Sequence, residues 1–140
     1  MSLERKMTSA VFETRFFVHF FASPSADMHR KLLEVMRRYH PRLVSVITLF
    51  EVYKLSIERE GRETAETRVS RIRGEFDVIA VDDSIAIRGA QLKHAAKVRS
   101  NEEVPMADSL IAATSVLNKA ICITDSPHLQ KIPQVKHRWI

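Results

Sequence analysis

Short apolar segments alternate with longer amphipathic segments along the chain, and this alternation predicts its secondary structure. The short segments are rich in β-branched and aromatic residues and predict four strands, at residues 9–13, 43–46, 78–81 and 120–123, with residues 135–138 as a candidate fifth strand. The amphipathic segments repeat their apolar residues at helical spacing and predict helices at residues 16–21, 25–39, 48–61, 63–76, 84–95 and 107–117, with a short helix within 125–132. The break at Ser23-Pro24-Ser25 separates the first two helices, and Ser25 is suited to cap the second.

Strands that alternate with helices are typical of a parallel sheet covered by helices on both faces. The strand segments are continuously apolar, as expected when both faces of a sheet are buried. The chain contains only three glycines, which disfavours a β-sandwich with many tight turns. We therefore predict a single α/β domain over residues 1–140, with a parallel sheet of four or five strands.

Composition excludes several classes of protein. With 45% hydrophobic and 28% charged residues among 140, the chain has an ordinary globular balance rather than that of a disordered chain. No apolar run reaches the ~20 residues of a membrane-spanning helix, and Met1–Met7 lacks the apolar region of a leader. Cys122 is the only cysteine, so we expect a buried thiol rather than a disulfide scaffold, and a cytoplasmic location.

The formal net charge of +5 favours binding of polyanions such as nucleic acid. Taken alone it is weak evidence, and an ordinary solvated surface is the simpler explanation. It becomes informative beside a set of acidic residues at particular positions.

Four acidic residues follow or adjoin the predicted strands. Glu13 ends the first strand, Asp125 follows the fourth, and Glu51 and Asp108 lie near the starts of helices. Ligands of open parallel sheets bind beyond the carboxyl ends of the strands, where these side chains would meet. Neighbouring carboxylates repel one another unless a cation joins them, and Mg²⁺ or Mn²⁺ prefers such oxygen ligands. These ions assist cleavage of phosphodiesters.

Each acid also has an ordinary structural explanation. Glu13 would cap a helix, Glu51 would be a solvated helix residue, and Asp108 would favour the dipole of a helix start. Asp125 would be a turn residue. The metal site depends on all four acting together.

Four segments of the chain resemble those of PIN-domain nucleases, most closely the VapC-type toxins. They are residues 11–16 (VFETRF), 45–52 (SVITLFEV), 104–114 (VPMADSLIAAT) and 123–129 (ITDSPHL). They occur in the family's order and span nearly the whole chain. The third is the most specific, because the family shows an acid followed by an Ile-Ala-Ala helix.

The resemblance implies a metal-dependent endoribonuclease whose acids bind Mg²⁺ or Mn²⁺. It implies an RNA substrate, a homodimer, and a cognate VapB-type antitoxin received by a groove of the early helices. Thr14 and Thr124 match hydroxyl positions that orient the acids in the family, although ordinary turn hydroxyls are an alternative.

Two residues depart from the family pattern. Glu13 stands where the family has aspartate, and Ser126 stands at the position of the fourth acid, with Asp125 one residue earlier. Either Asp125 or Ser126 would complete the metal site. The departures predict weaker metal affinity, and they leave open a PIN-like module that binds RNA or protein without cleaving it. A phosphatase is disfavoured, because no Asp-x-Asp signature follows the first strand.

Basic residues provide candidates for contact with RNA. Arg15 follows the first acid, and Lys131, Lys136 and Arg138 form a basic stretch beside Trp139. An exposed arginine and a solvated tail with a packed tryptophan are the alternatives. The histidines show no spacing typical of a zinc site, and His128 lies near the predicted crevice.

Overall fold

Five parallel strands form the centre of the structure, a computed structural model that describes residues 8–23 and 25–140. In chain order the strands are β1 (Ala10–Phe12), β2 (Arg42–Ser45), β3 (Asp77–Ile79), β4 (Ile121–Ile123) and β5 (His137–Arg138). The helices are α1 (Thr14–Ala22), α2 (Ala26–Arg37), α3 (Val46–Glu60), α4 (Arg62–Glu75), α5 (Asp83–Ser100), α6 (Met106–Leu117) and α7 (Pro127–Gln130). The sheet order is β3-β2-β1-β4-β5, so all carboxyl ends lie at one edge.

Successive strand residues face opposite sides of the sheet and build two hydrophobic cores. Phe12 and Ile123 pack with α1, α2 and α4, whereas Val11 and Cys122 pack with α5 and α6. The strands read as continuously apolar because both faces are covered. The predicted single α/β fold is therefore confirmed, and Cys122 is buried as predicted.

Helix caps place the ends of several elements. The Ser25 hydroxyl accepts a hydrogen bond from the Met28 amide at 3.2 Å, which confirms the predicted cap of α2. Helix α3 begins at Val46 rather than Thr48, because the Ser45 hydroxyl accepts from the Ile47 amide at 3.1 Å. The cap begins α3 immediately after β2, at the carboxyl edge of the sheet.

The boundaries of β3 and α5 also differ from those predicted. Strand β3 lies at Asp77–Ile79 instead of residues 78–81, because the Asp82 carboxylate accepts from the Ile85 amide at 2.9 Å and starts α5 at once. Helix α5 continues to Ser100, past its predicted end at residue 95, and ends at Asn101 in the left-handed conformation. The predicted break at Pro24 and the segment Met1–Met7 lie outside the described residues.

Helix lengths and hydropathy also bear on membrane association. Within the part of the chain that the structure describes, none of the helices combines the length and apolar character needed to cross a bilayer.

Gly89 allows α5 and α6 to pack closely. A Cβ atom at Gly89 would lie 3.1 Å from Cδ2 of Leu110 and 3.3 Å from the carbonyl oxygen of Ser109. We expect Gly89→Leu to lower the free energy of unfolding by about 1–3 kcal/mol through overpacking, measured by urea denaturation.

Gly74 in α4 provides the matched control for this substitution. No atom lies within 4 Å of a Cβ built there. Gly74→Leu should leave stability unchanged or raise it by up to ~1 kcal/mol through helix propensity. Equal effects of the two substitutions would contradict the packing explanation.

Candidate active site

Three carboxylates from three elements line a cavity of about 510 Å³ at the carboxyl edge of the sheet. Glu13 follows β1, Glu51 lies in the second turn of α3, and Asp108 lies in the first turn of α6. Five further polar side chains line the same cavity: Thr14, Arg15, His19, Ser126 and His128. Three of the four acids predicted as metal ligands from the sequence are thus brought to one cavity from distant parts of the chain.

Glu13 is the most buried of the three acids, with 3% of its surface exposed. Its carboxylate caps α1 by accepting a hydrogen bond from the Arg15 amide at 2.7 Å. Burial, and to a smaller extent the negative charges of Asp108 and Glu51, raise the pKa of Glu13, and the net result is a pKa of about 7. The hydrogen bonds from the Arg15 amide and the Thr124 hydroxyl act in the opposite direction.

Glu51 is held by hydroxyl groups. The Thr14 hydroxyl donates to its Oε1 at 2.6 Å, and a 3.1 Å hydrogen bond joins the hydroxyls of Thr14 and Thr48. Burial raises the pKa of Glu51, the Thr14 hydrogen bond opposes the rise, and the charge of Asp108 adds to it. Thr14 is therefore bonded to the Glu51 carboxylate, and its role in orienting that acid stays a prediction.

Asp108 adjoins the residue at the position of the family's fourth acid. The Ser126 hydroxyl donates to its Oδ2 at 3.3 Å. Burial raises the pKa of Asp108, whereas His128, this hydrogen bond and Arg15 oppose the rise. The Thr124 hydroxyl accepts from the Ser126 amide at 2.9 Å and so fixes the turn that carries Ser126.

Asp125 faces away from the three acids and is not among the residues lining the cavity. Its Oδ1 accepts a hydrogen bond from Nε of Arg15, and its Oδ2 lies 3.2 Å from Nε2 of His19. Partial burial raises the pKa of Asp125, but Arg15 and His19 lower it more, so the net shift is downward. Of the two alternatives, Ser126 is the one that faces the cavity.

The three carboxylates supply the hard oxygen donors that a divalent cation prefers, but they do not form a compact ligand set. Among residues 8–23 and 25–140, no three acidic, histidine or cysteine side chains lie close enough together to form a complete metal site. The repulsion between Asp108 and the two glutamates nevertheless acts across one cavity. Mg²⁺ prefers carboxylate oxygens and retains several water ligands, so the chemical nature of these donors, though not their spacing, is compatible with it.

The predicted RNA-binding residues are spread over the surface. Arg15 lines the cavity, whereas Arg138 is exposed on β5. Nζ of Lys131 lies 3.7 Å from Oε1 of Glu102. Lys136 instead borders a separate cavity of about 200 Å³ with Ser115, towards the amino ends of the strands. Only Arg15 adjoins the acids.

Sequence reasoning missed two residues of the site. The Thr48 hydroxyl forms a hydrogen bond with that of Thr14. The position of Thr48, three residues before Glu51, could have indicated from the sequence that it belongs to the site. His19 lines the cavity, and its spacing of four residues from Arg15 places both on one face of α1. Trp139 packs beside His19, with ring centroids 5.4 Å apart, and against the core, as one of the two alternatives predicted.

Comparison with known proteins assigns the family. The PIN domain family model matches residues 10–134, and the chain belongs to the PIN domain family. No curated protein sequence is significantly similar to the chain.

Solved structures of low sequence identity share the fold over nearly the full length. VapBC2 from Rickettsia felis, bound to a DNA fragment from its promoter, aligns with a TM-score of 0.77 and 14% identity, covering 93% of this chain and 97% of that one. DNA-bound VapBC from Salmonella typhimurium aligns with a TM-score of 0.77 and 18% identity, covering 95% of this chain and 98% of that one. VapC20 from Mycobacterium tuberculosis, described as a sarcin-ricin loop cleaving toxin, aligns with a TM-score of 0.69 and 16% identity. The alignment covers 91% of this chain and 98% of that one.

Proposed function

We propose that the protein is a divalent-metal-dependent endoribonuclease of the VapC toxin type. The observation that carries this proposal is the convergence of Glu13, Glu51 and Asp108 on one cavity at the carboxyl edge of the sheet. Membership of the PIN domain family and the fold shared with a toxin that cleaves the sarcin-ricin loop support it.

Each acidic residue has a distinct part in this proposal. Glu13, Glu51 and Asp108 would hold Mg²⁺ or Mn²⁺, with Ser126 supporting Asp108 and Thr14 fixing Glu51. Bound metal would activate water and neutralise the charge that develops on the phosphate. Burial of Glu13 keeps bulk water away from this part of the site, and the raised pKa values favour neutralisation by a cation.

The basic surface would bind the RNA backbone. With a net charge of +5, the chain attracts a polyanion despite the local negative charge of the cavity. Arg15 is the predicted basic residue nearest the acids, whereas Lys131, Lys136 and Arg138 would provide more distant contacts.

Cleavage of RNA tests the proposed activity. We expect the purified protein to cut members of a panel of structured and single-stranded RNAs with Mg²⁺ or Mn²⁺, and to lose this activity in EDTA. Cleavage that persists in EDTA would contradict metal dependence.

A binding module without catalysis is the second candidate. Glu13 and Ser126 favour it, because they depart from the family's acids, and so does the absence of a compact three-ligand cluster in the described residues. RNA binding without cleavage in either metal would support the module instead of the nuclease.

We also propose a VapB-type antitoxin as partner and the cytoplasm as location. The VapBC structures that share the fold support the antitoxin. Between α1, α3 and α4 lies a narrow apolar groove lined by Phe21, Leu55 and Arg68. An adjacent gene for a small DNA-binding protein, and a stable complex on co-expression, would be the expected results.

A homodimer is the proposed oligomeric state, and exposed apolar residues of α3 support it. Phe50 is 66% exposed, and Val46, one turn earlier on the same face, is exposed as well. We expect Phe50→Asp to convert a dimer into a monomer, measured by light scattering after gel filtration. Burial of an unpaired charge in an apolar interface is the reason.

Leu117→Asp is the control for this substitution. Leu117 is also an exposed apolar residue, but it ends α6 at the amino edge of the sheet, opposite the start of α3. The dimer should persist in this variant. Dissociation by both substitutions, or by neither, would contradict the proposed interface.

A further inference from the structure

Arg15, His19 and Asp125 form a network on the wall of the carboxylate cavity. Asp125 accepts from Nε of Arg15 through one oxygen and lies 3.2 Å from Nε2 of His19 through the other. The His19 ring lies between this carboxylate and Trp139, with its centroid 5.4 Å from that of the indole. The network thus links residues of α1 with residues that follow β4 and β5, across more than 100 residues of sequence.

This network places a positive charge beside the acids. Arg15 and His19 both line the cavity, and half of the Arg15 side chain is exposed to solvent. The charge of Arg15 acts on Asp108 and opposes the rise in its pKa. One wall of the cavity therefore presents the Arg15 guanidinium, while the other carries the carboxylates.

The chemistry of the guanidinium group points to a phosphate ligand. Arginine carries five N–H donors in a rigid plane, and only Nε is used in the bond to Asp125. Among the described residues, no acceptor bonds to the two terminal nitrogens of Arg15. A guanidinium fixed at one side and open at the other is suited to bind phosphate oxygens in pairs.

We infer that Arg15 binds a backbone phosphate of the RNA next to the three carboxylates, and that Asp125 and His19 are positioning residues that hold its guanidinium there. The inference rests on the proposed ribonuclease function and assigns the acid at position 125 to Arg15 rather than to a metal. Both oxygens of Asp125 have partners in the network, and the side chain does not line the cavity.

RNA binding measured without cleavage tests this inference. The probe is a fluorescein-labelled single-stranded RNA of mixed sequence, about 20 nucleotides long, titrated in Ca²⁺ and followed by anisotropy, with its length checked on gels. We expect Arg15→Ala to weaken binding by roughly 10- to 100-fold, because a charge-assisted hydrogen bond contributes that much. Arg15→Lys should restore little, since an ammonium group cannot pair with Asp125 and a phosphate in one plane.

The positioning role predicts non-additive effects. Asp125→Ala and His19→Ala should each weaken binding less than Arg15→Ala, and neither should weaken it further in the Arg15→Ala background. Mn²⁺ affinity, measured by calorimetry, should be unchanged in Asp125→Ala. The control is Arg37→Ala, which removes the same charge at the end of α2, near the amino edge of the sheet.

Three results would overturn the inference: RNA affinity of Arg15→Ala equal to that of Arg37→Ala, additive losses in the double variants, or a tenfold loss of Mn²⁺ affinity in Asp125→Ala. Absence of RNA binding by the unmodified protein would overturn it as well. If the protein binds RNA through Arg15 but never cleaves it, the nuclease proposal fails and the inference about Arg15 stands. If the protein cleaves RNA and Arg15→Ala binds and cleaves RNA normally, the inference about Arg15 fails and the nuclease proposal stands.

Discussion

Asp108→Asn is expected to abolish metal-dependent cleavage of RNA, with a loss of at least about 100-fold. Asp108 is the acid whose negative charge raises the pKa of both Glu13 and Glu51. Changes outside the first coordination sphere already reduce metal affinity or activity by about 10–100-fold, and removal of a ligand charge should cost more. The measurement is the initial rate of RNA cleavage in Mn²⁺.

Asp77→Asn is the matched control for this loss. Asp77 is exposed at the start of β3, at the amino edge of the same sheet, so the substitution removes the same charge away from the cavity. Its rate should equal that of the unmodified protein. Full activity of Asp108→Asn would remove Asp108 from the site and favour a different catalytic centre.

The second large effect concerns stability and its dependence on pH. Burial and the charges of Asp108 and Glu51 raise the pKa of Glu13 from 4.5 to about 7 in the folded protein. The ionised form is therefore disfavoured in the fold, so stability falls as pH rises from about 4.5 and reaches its full loss above about pH 7. At about 1.4 kcal/mol per pKa unit, the loss is about 3 kcal/mol.

Glu13→Gln should remove this pH-dependent loss. In EDTA and at one protein concentration, urea denaturation should show similar stability for variant and unmodified protein near pH 4.5. Near pH 8 the variant should be more stable by about 3 kcal/mol. Glu75→Gln, at the exposed end of α4, should change stability little at either pH. If Glu13→Gln changed the free energy of unfolding by the same amount at about pH 4.5 and at about pH 8, the raised pKa of Glu13 would be contradicted.

Much of the fold follows from local sequence. The apolar segments of β1, β2 and β4 are too short for helices, and the caps at Ser25 and Gly61 mark helix ends directly. The end of β3 was harder to predict, because Val78 to Val81 are all apolar and only the helix cap at Asp82 limits the strand. Such boundaries depend on single side-chain hydrogen bonds, which periodicity does not reveal.

The candidate site was predictable where topology alone determines it. Parallel strands bring the residues after β1 and β4 to one edge, so Glu13 and Ser126 had to lie near each other. The partners of Asp125 were not predictable in this way. Its side chain bonds to Arg15, 110 residues earlier, and the choice between that guanidinium and the cavity depends on side-chain conformation. Whether these residues act as predicted in catalysis stays a prediction.

If Glu13, Glu51 and Asp108 together hold one divalent ion, the binding of Mn²⁺ depends on all three. Calorimetric titration of the unmodified protein with Mn²⁺ at pH 8 should show saturable binding at one site per chain. The same titration of Glu13→Gln, Glu51→Gln and Asp108→Asn should show at least about tenfold weaker binding in each, whereas Asp77→Asn should bind normally. Undiminished Mn²⁺ binding by all three cavity variants would contradict the account.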